Sequence, residues 1–395
     1  MHRLPLALLF VVAPAMAQSL NGLWDATVTV NGIEIPFRME LANDGAHAKG
    51  TFFNGDEKLA STDGRFEKGE LLLKFDYYAA GLQATWKDGV LAGVYRRTTN
   101  EYPFRAQRFA PSKVAAADVP SIAGLWEVGV KSAKGESAWR FIVRQSGPEV
   151  SAAILRIDGD TGALTGTWRG DRFVLSHFSG ARPSLFEVTP QKDGTLEVVQ
   201  NGRKMTAVRS AEARAKGLPE PTDPSRHTSV QDPTEPLHFR APDLKGRVWS
   251  DADFRGKVVI VAIGGSWCPN CHDEAPFLVE LYKEYHRQGL EVVALSFEEA
   301  EQLKDPSRLR AFIQRYGIEY TVLLAGETSE LNAKLPQAVN LNSWPTTFFL
   351  GRDGRVRSVH AGYPGRASGE FHDRMREEVK SLLERLLAEK EISER

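Results

Sequence analysis

The sequence of 395 residues contains two cysteines, and they stand together as Cys268-Pro269-Asn270-Cys271. Thiols at this spacing can close on each other, bind a metal or attach haem, so they read as chemistry and not as scaffold. The run Val258-Val259-Ile260-Val261-Ala262-Ile263 before them is apolar and mostly β-branched, the mark of a buried strand. After them Phe277, Leu278, Leu281, Tyr282 and Tyr285 fall on one face of a helix. The dithiol therefore sits where a strand hands over to a helix. Unpaired N–H groups and the helix dipole stabilise negative charge there, so Cys268 ionises more readily than a free cysteine. A thiolate is the nucleophile of disulfide exchange. Cys271, nearly one turn later, is close enough to pair with Cys268 and to act second, resolving a mixed disulfide.

Around this stretch strands and helices alternate, the pattern of an α/β layer fold. Strands are expected at Val258–Ile263, Leu290–Ser296, Thr321–Leu324, Thr346–Leu350 and Val356–His360. Helices are expected after Cys271, over about 306–316 and 329–338, and over about 368–390, where Phe371, Met375, Val379, Leu382, Leu383 and Leu386 keep helical spacing. Asp353-Gly354 makes a hairpin of the last two strands. Glu298, Glu299 and Glu301, in the insertion-like stretch 297–307, read as a solvated acidic surface.

From about Phe239 onward, roughly two fifths of the chain resembles the thioredoxin superfamily, and closely its exported TlpA/ResA-like branch of thiol-disulfide oxidoreductases. The resemblance is carried by Ala241-Pro242-Asp243-Leu244-Lys245-Gly246-Arg247, Phe254-Arg255-Gly256-Lys257, Trp267-Cys268-Pro269-Asn270-Cys271 with Glu274 and Pro276, and Trp344-Pro345-Thr346-Thr347-Phe348 with Asp353-Gly354. It implies a thioredoxin-like fold, a redox-active disulfide Cys268–Cys271 and a cis Pro345 facing it. It implies substrate docking by Trp267, Trp344, Pro345 and Thr346, as an added strand docks on a sheet edge. It makes Glu274 a candidate acid–base partner of Cys271; a solvated first-turn glutamate suiting the helix dipole is the plainer reading. The chain departs from cytosolic thioredoxins in having Ala262 where they carry a buried aspartate. It departs from its own branch in having Pro269-Asn270, where Glu-Pro is common. These two residues tune redox poise, and reduction of the partner is the expected direction.

Other chemistries were weighed on the same residues. Cys268-x-x-Cys271-His272 also spells the c-type haem attachment pattern, but Met39, Met205 and Met375 stand in no context suited to a second axial ligand. Zinc would need a fourth group and no second Cys-x-x-Cys exists. A peroxidatic cysteine would sit in Thr-x-x-Cys, where this chain has Gly265. No cofactor and no metal are expected. The expected partners are a disulfide-containing exported protein and a dithiol electron donor, possibly membrane-bound. A formal net charge of −1 gives no reason to expect nucleic acid.

The rest of the chain looks unrelated to this chemistry. Residues 1–17 read as a signal peptide, with apolar Leu4 to Ala13 and Ala15-Met16-Ala17 before a cleavage between Ala17 and Gln18, which implies a periplasmic or secreted protein. Residues 18–110 and 121–210 read as two copies of one antiparallel β module, barrel or sandwich, with short alternating segments and Asn-Gly or Asp-Gly turns. Gly22-Leu23-Trp24 recurs as Gly124-Leu125-Trp126 at an offset of 102, and Gly64-Arg65-Phe66 aligns with Gly166-Thr167-Trp168 at the same offset. Trp24, Trp86, Trp126, Trp139 and Trp168 are expected to plug the module cores more than to line a ligand cavity. His47 and His177 are isolated and expected to be surface or satisfied residues. Residues 211–236, with Pro219, Pro221, Pro224, Pro233 and Pro236, form a Pro-rich linker or extended wrap before a thioredoxin-like domain at 237–395. The fold class is therefore multidomain: duplicated β modules followed by an α/β domain. The rival functional reading is an adaptor whose β modules recognise a partner or ligand, with the thioredoxin-like domain as redox sensor.

Overall fold

A computed structural model describes residues 19–111 and 119–389. The expected signal peptide with its cleavage point, and most of the segment joining the two β modules, lie outside the described residues.

The first module comprises β1 (Gly22–Val30), β2 (Ile33–Asp44), β3 (His47–Asn54), β4 (Glu57–Ala60), β5 (Asp63–Glu67), β6 (Glu70–Phe75), β7 (Ala80–Lys87), β8 (Val90–Arg97) and β9 (Asn100–Arg108). Eight of them close into an antiparallel barrel in the order β2-β1-β9-β8-β7-β6-β5-β3 and back to β2, with β4 paired outside β3. Strict alternation builds it. In β2, Ile35, Phe37, Met39 and Leu41 are buried while Glu34, Arg38 and Glu40 face out. Asn31 and Gly32, both at positive φ, make the tight turn from β1 to β2. β4 and β5 are only four and five residues long, and β5 buries only Phe66 and β9 only Phe104 and Ala106, so their alternation is brief.

The second module repeats the architecture with β10 (Gly124–Gly129), β11 (Ala138–Ser146), β12 (Glu149–Arg156), β13 (Gly159–Asp160), β14 (Leu164–Trp168), β15 (Phe173–His177), β16 (Ser184–Pro190), β17 (Leu196–Gln200) and β18 (Arg203–Arg209). Its ring runs β11-β10-β18-β17-β16-β15-β14-β12 and back, with β13 attached to β12. The two modules are thus closed eight-stranded barrels and not sandwiches. The recurrent Gly-Leu-Trp marks one structural lock in each. Trp24 Nε1–H donates to the Leu20 carbonyl (2.9 Å) beneath the Arg108 guanidinium; Trp126 Nε1–H donates to the Ile122 carbonyl (2.8 Å) beneath Arg209. Trp24, Trp126 and Trp139 are buried, and Trp86 and Trp168 are half-buried against Trp24 and Phe173. His177 is buried and satisfied by the Ala163 carbonyl and Ser179 Oγ, and His47 is exposed.

The barrels are joined through Phe178 of the second, which is fully buried in the aromatic core of the first beside Phe37, Phe52 and Tyr95. Asn54 clamps its backbone from both sides, donating to the Phe178 carbonyl (3.0 Å) and accepting its N–H (2.9 Å).

The proline-rich stretch is a wrap. It carries α1 (Ser210–Ala213), α2 (Pro224–His227), capped by Asp223, and β19 (Ser229–Val230). His227 and Thr228 are buried, hydrogen-bonded to Asn342 and the Asn340 carbonyl. A hairpin of β20 (Arg240–Pro242) and β21 (Val248–Ser250) leads into β22 (Val258–Gly264), α3 (Pro269–Tyr285), β23 (Leu290–Glu298), α4 (Ala300–Lys304), α5 (Ser307–Tyr316), β24 (Thr321–Glu327), α6 (Leu331–Lys334), β25 (Ala338–Val339), β26 (Thr346–Leu350), β27 (Val356–Ala361) and α7 (Glu370–Ala388). The central sheet has the order β24-β23-β22-β26-β27, with β22, β23 and β24 parallel and the other pairs antiparallel. β19 pairs with β25. The β22 run is apolar throughout because both faces are covered: Val258 and Ile260 meet α3 and α7, while Val259, Val261 and Ile263 meet Phe239, Phe254 and α6. The helix expected over 329–338 ends at Lys334, since Pro336 disfavours helical geometry at Leu335.

Candidate active site

Cys268 is the N-cap of α3, and the Cys271 N–H donates to Cys268 Sγ at 3.3 Å. The sulfur therefore occupies the position that helix-start N–H groups favour for negative charge. Cys268 and Cys271 are joined as a disulfide, with Cα atoms 5.2 Å apart. The Trp344–Pro345 peptide bond is cis, in the loop that leads into β26.

The strand-to-helix turn is packed so tightly that two glycines are required. A methyl on Gly264 would lie 3.0 Å from Cys271 Sγ, and one on Gly265 would overlap the Phe297 carbonyl. Trp267 Nε1–H donates to that same carbonyl (2.9 Å), and its ring meets Trp344 edge-on at 5.4 Å. The tryptophans on either side of the dithiol thus form one unit. Thr346 is turned inward, donating to the Ser343 carbonyl at 2.8 Å.

Glu274 is buried, not a solvated first-turn residue. It accepts a hydrogen bond from Thr347 Oγ1 at 2.6 Å. Burial pushes its carboxyl from the ordinary 4.5 up to about 7, with the Thr347 hydroxyl opposing the shift. Glu274, three residues after Cys271 in α3, is thus a carboxyl that takes up and gives back a proton near neutrality.

The acidic stretch after β23 overturns an expectation. Glu298 is fully buried, not part of a solvated acidic surface. Its carboxylate accepts the Ser266 N–H (2.7 Å), Ser266 Oγ–H (2.8 Å) and Ser296 Oγ–H (2.7 Å), and pairs with the equally buried Arg308 at 2.7 Å. Arg308 Nε–H reaches Ser266 Oγ (2.8 Å), and Glu299 holds the same guanidinium from its outer side. The apolar run of β23 carries Glu298 into the interior, and the arginine that compensates it lies ten residues on, in α5. The network grips the residue two before Cys268. No local pattern in the sequence marks this burial, because both faces of the strand end are covered there and the compensating arginine lies in α5.

His272 supports the same turn. Its Nε2–H donates to the Ser266 carbonyl (2.9 Å), and Nδ1 accepts from the Tyr316 hydroxyl (3.0 Å). Burial among Tyr78, Phe312 and Tyr316 pushes its pKa down to about 3, so the ring is neutral. Both ring nitrogens of His272 are thus engaged within the protein. Among the described residues no group of three or more His, Cys, Asp or Glu is placed to hold a metal ion.

The barrels come up against the dithiol, which no motif foretold. Arg97 at the end of β8 donates to the Trp267 carbonyl (2.7 Å). Arg182 donates to Asn270 Oδ1 (3.0 Å), and Asn270 Nδ2–H donates to the Asp158 carbonyl (2.5 Å). Cys268 has no solvent exposure as a result of the packing around it.

Residues 234–359 match the AhpC/TSA family model. The chain is 31% identical over 134 residues to the thiol-disulfide oxidoreductase ResA of Geobacillus kaustophilus, a match covering 34% of this chain and 71% of that protein. It is 31% identical over 137 residues to the thioredoxin-like protein YneN of Bacillus subtilis, covering 35% of this chain and 75% of the relative. Among solved structures, a putative thiol:disulfide interchange protein DsbE from Chlorobium tepidum aligns at 22% identity and a TM-score of 0.33, over 40% of this chain and 100% of the other. The dithiol at a helix N-cap, the cis Trp344–Pro345 bond and the two relatives at 31% identity lead to one assignment: through its C-terminal part the chain belongs to the ResA-like protein-disulfide oxidoreductases of the thioredoxin superfamily.

Proposed function

We propose that the chain is exported and exchanges disulfides with an exported protein partner, acting chiefly as reductant. In the reduced form the Cys268 thiolate attacks one sulfur of the partner's disulfide. That S–S bond breaks, a Cys268–partner mixed disulfide forms, and the partner's other sulfur leaves as a thiolate that takes up a proton. Glu274 accepts the Cys271 proton, the Cys271 thiolate attacks Cys268 Sγ, the Cys268–partner bond breaks, and the released partner thiolate takes up the proton that Glu274 gives back. The partner leaves with two thiols, and the site is left as the Cys268–Cys271 disulfide. A second dithiol protein returns the two electrons. Trp267, Trp344 and Pro345 make the seat for the partner, with the Trp344 backbone as the strand-pairing edge; Thr346, buried and bonded to the Ser343 carbonyl, holds that loop from within. The barrels help choose the partner.

The observation that carries this reading is a dithiol at the N-cap of α3 with a buried, near-neutral carboxyl three residues beyond it. Expression with the N-terminal segment of residues 1–17 intact, followed by fractionation, tests export. Disulfide reduction by the full chain tests the chemistry. Cys268→Ser abolishes turnover, and Cys271→Ser permits one attack and stalls as the mixed disulfide. Full turnover by Cys268→Ser would overturn the mechanism.

A further inference from the structure

The turn between β12 and β13 lies on the loop that carries the cis proline. Asp158 uses both of its acceptor groups there. Its carboxylate accepts the Trp344 N–H at 3.2 Å, and its carbonyl accepts the Tyr363 N–H at 3.2 Å as well as Asn270 Nδ2–H. Lys134 holds the carboxylate from the barrel side. Gly159 forms a parallel bridge with Tyr363. The approach needs bare backbone on both sides. A methyl on Gly159 would overlap the Tyr363 carbonyl, and one on Gly362 would overlap the Ile157 carbonyl; both residues have positive φ, +111° and +71°. Ser368 Oγ–H donates to Asp160 (2.5 Å), and Arg144 donates to the Ala367 carbonyl (3.3 Å), extending the contact along the start of α7.

One turn of the second barrel therefore engages the residue before the cis proline, the residue before Cys271 and the residue two beyond β27. The Trp344 N–H is the donor that an added partner strand would need. We propose that Asp158 and its turn form an intramolecular gate on the substrate seat. It fills the pairing position with a carboxylate and keeps Cys268 covered, so a disulfide reaches the thiol after the turn is displaced. This rests on the reading of Trp344 and Pro345 as that seat. The partner it selects is a chain that offers an extended segment with a carbonyl acceptor for Trp344 and competes with the barrel for that edge. Asp158 is then a specificity-determining residue, acting by occupancy and not by chemistry.

The test uses the reduced full-length protein and compares wild type with Asp158→Ala, Lys134→Ala and Gly159→Ala. Three rates are read: alkylation of Cys268 by iodoacetamide, located by mass; reduction of an extended peptide holding one disulfide; and hydrogen exchange of the Trp344 amide. A hydrogen bond to a charged group contributes enough to shift an equilibrium by roughly tenfold or more. Asp158→Ala is thus expected to raise all three rates by roughly tenfold, and Lys134→Ala by less. Gly159→Ala should raise them at least as much as Asp158→Ala. Asp158→Ala adds no bulk and Lys134→Ala only frees the carboxylate, so these two decide the matter even where Gly159→Ala disturbs the barrel. Wild-type rates in both would overturn the gate. A Cys268→Ser control separates the two readings: activity that survives it refutes the site, whereas Cys268-dependent activity with unchanged gate variants refutes the gate alone.

Discussion

Replacing Glu274 by Gln keeps the size of the side chain and its acceptor for Thr347 while removing its titration. In the folded protein this carboxyl holds its proton up to about pH 7; in the unfolded chain it releases it near 4.5. Between those values the native state binds one more proton than the unfolded state, so stability falls as pH rises. The slope is about 1.4 kcal/mol per pH unit, and the total is roughly 3 kcal/mol. The stabilisation is fully present below pH 4.5 and lost above pH 7. Glu274→Gln has no such slope. Its buried amide brings an extra unpaired donor, a cost of about 1–3 kcal/mol that does not vary with pH. The variant should therefore gain about 3 kcal/mol on wild type between pH 4.5 and pH 8, whatever its standing at one pH. Other buried acids are common to both proteins and cancel. Because a multidomain chain does not unfold as one unit, the urea midpoint is best read on the β22 peptide by pulsed hydrogen exchange. The same variant should slow resolution of a mixed disulfide at Cys271 and flatten its pH profile around 7. A stability difference that is identical at pH 5 and pH 8 would refute the claim that Glu274 is a buried, proton-holding acid.

Arg308→Met leaves the Glu298 charge buried without its partner and should cost about 3–5 kcal/mol in the same urea assay, with much of the loss recovered in the Glu298→Gln, Arg308→Met double variant. Phe178→Ala opens a cavity in the first barrel, should cost about 3–5 kcal/mol, and should show as earlier exchange of first-barrel peptides in urea. His272 is held neutral by burial, so the alkylation rate of the reduced dithiol should show no step at the ordinary histidine range near 6.5, and His272→Gln should leave that part of the profile unchanged.

The chemistry of this chain was legible because it is local. Cys268, Cys271 and the helix they open lie within one short stretch, and Trp344-Pro345-Thr346 marks the cis proline. The barrels were legible as alternation with positive-φ turns, and Gly-Leu-Trp flagged the lock that both share. Closure was not, since it depends on β9 returning to β1 and β18 returning to β10, pairings between the first and last strands of each ring. Glu298 was misread for a related reason. An acid after an apolar strand looks solvated until its partner, Arg308, is known to share its cavity. The contact of Asp158 with Trp344 spans 186 residues and joins a side-chain carboxylate to a backbone N–H in another domain, a pairing that leaves no trace in side-chain spacing.

The most direct test of the central claim is the site of covalent capture. Reduced full-length Cys271→Ser is mixed with a defined disulfide-bonded exported protein, quenched with acid and digested without reductant. The account predicts one mixed disulfide, mapped by mass spectrometry to Cys268, and none with Cys268→Ser. Absence of an adduct at Cys268, or continued reduction of the substrate by Cys268→Ser, would contradict it.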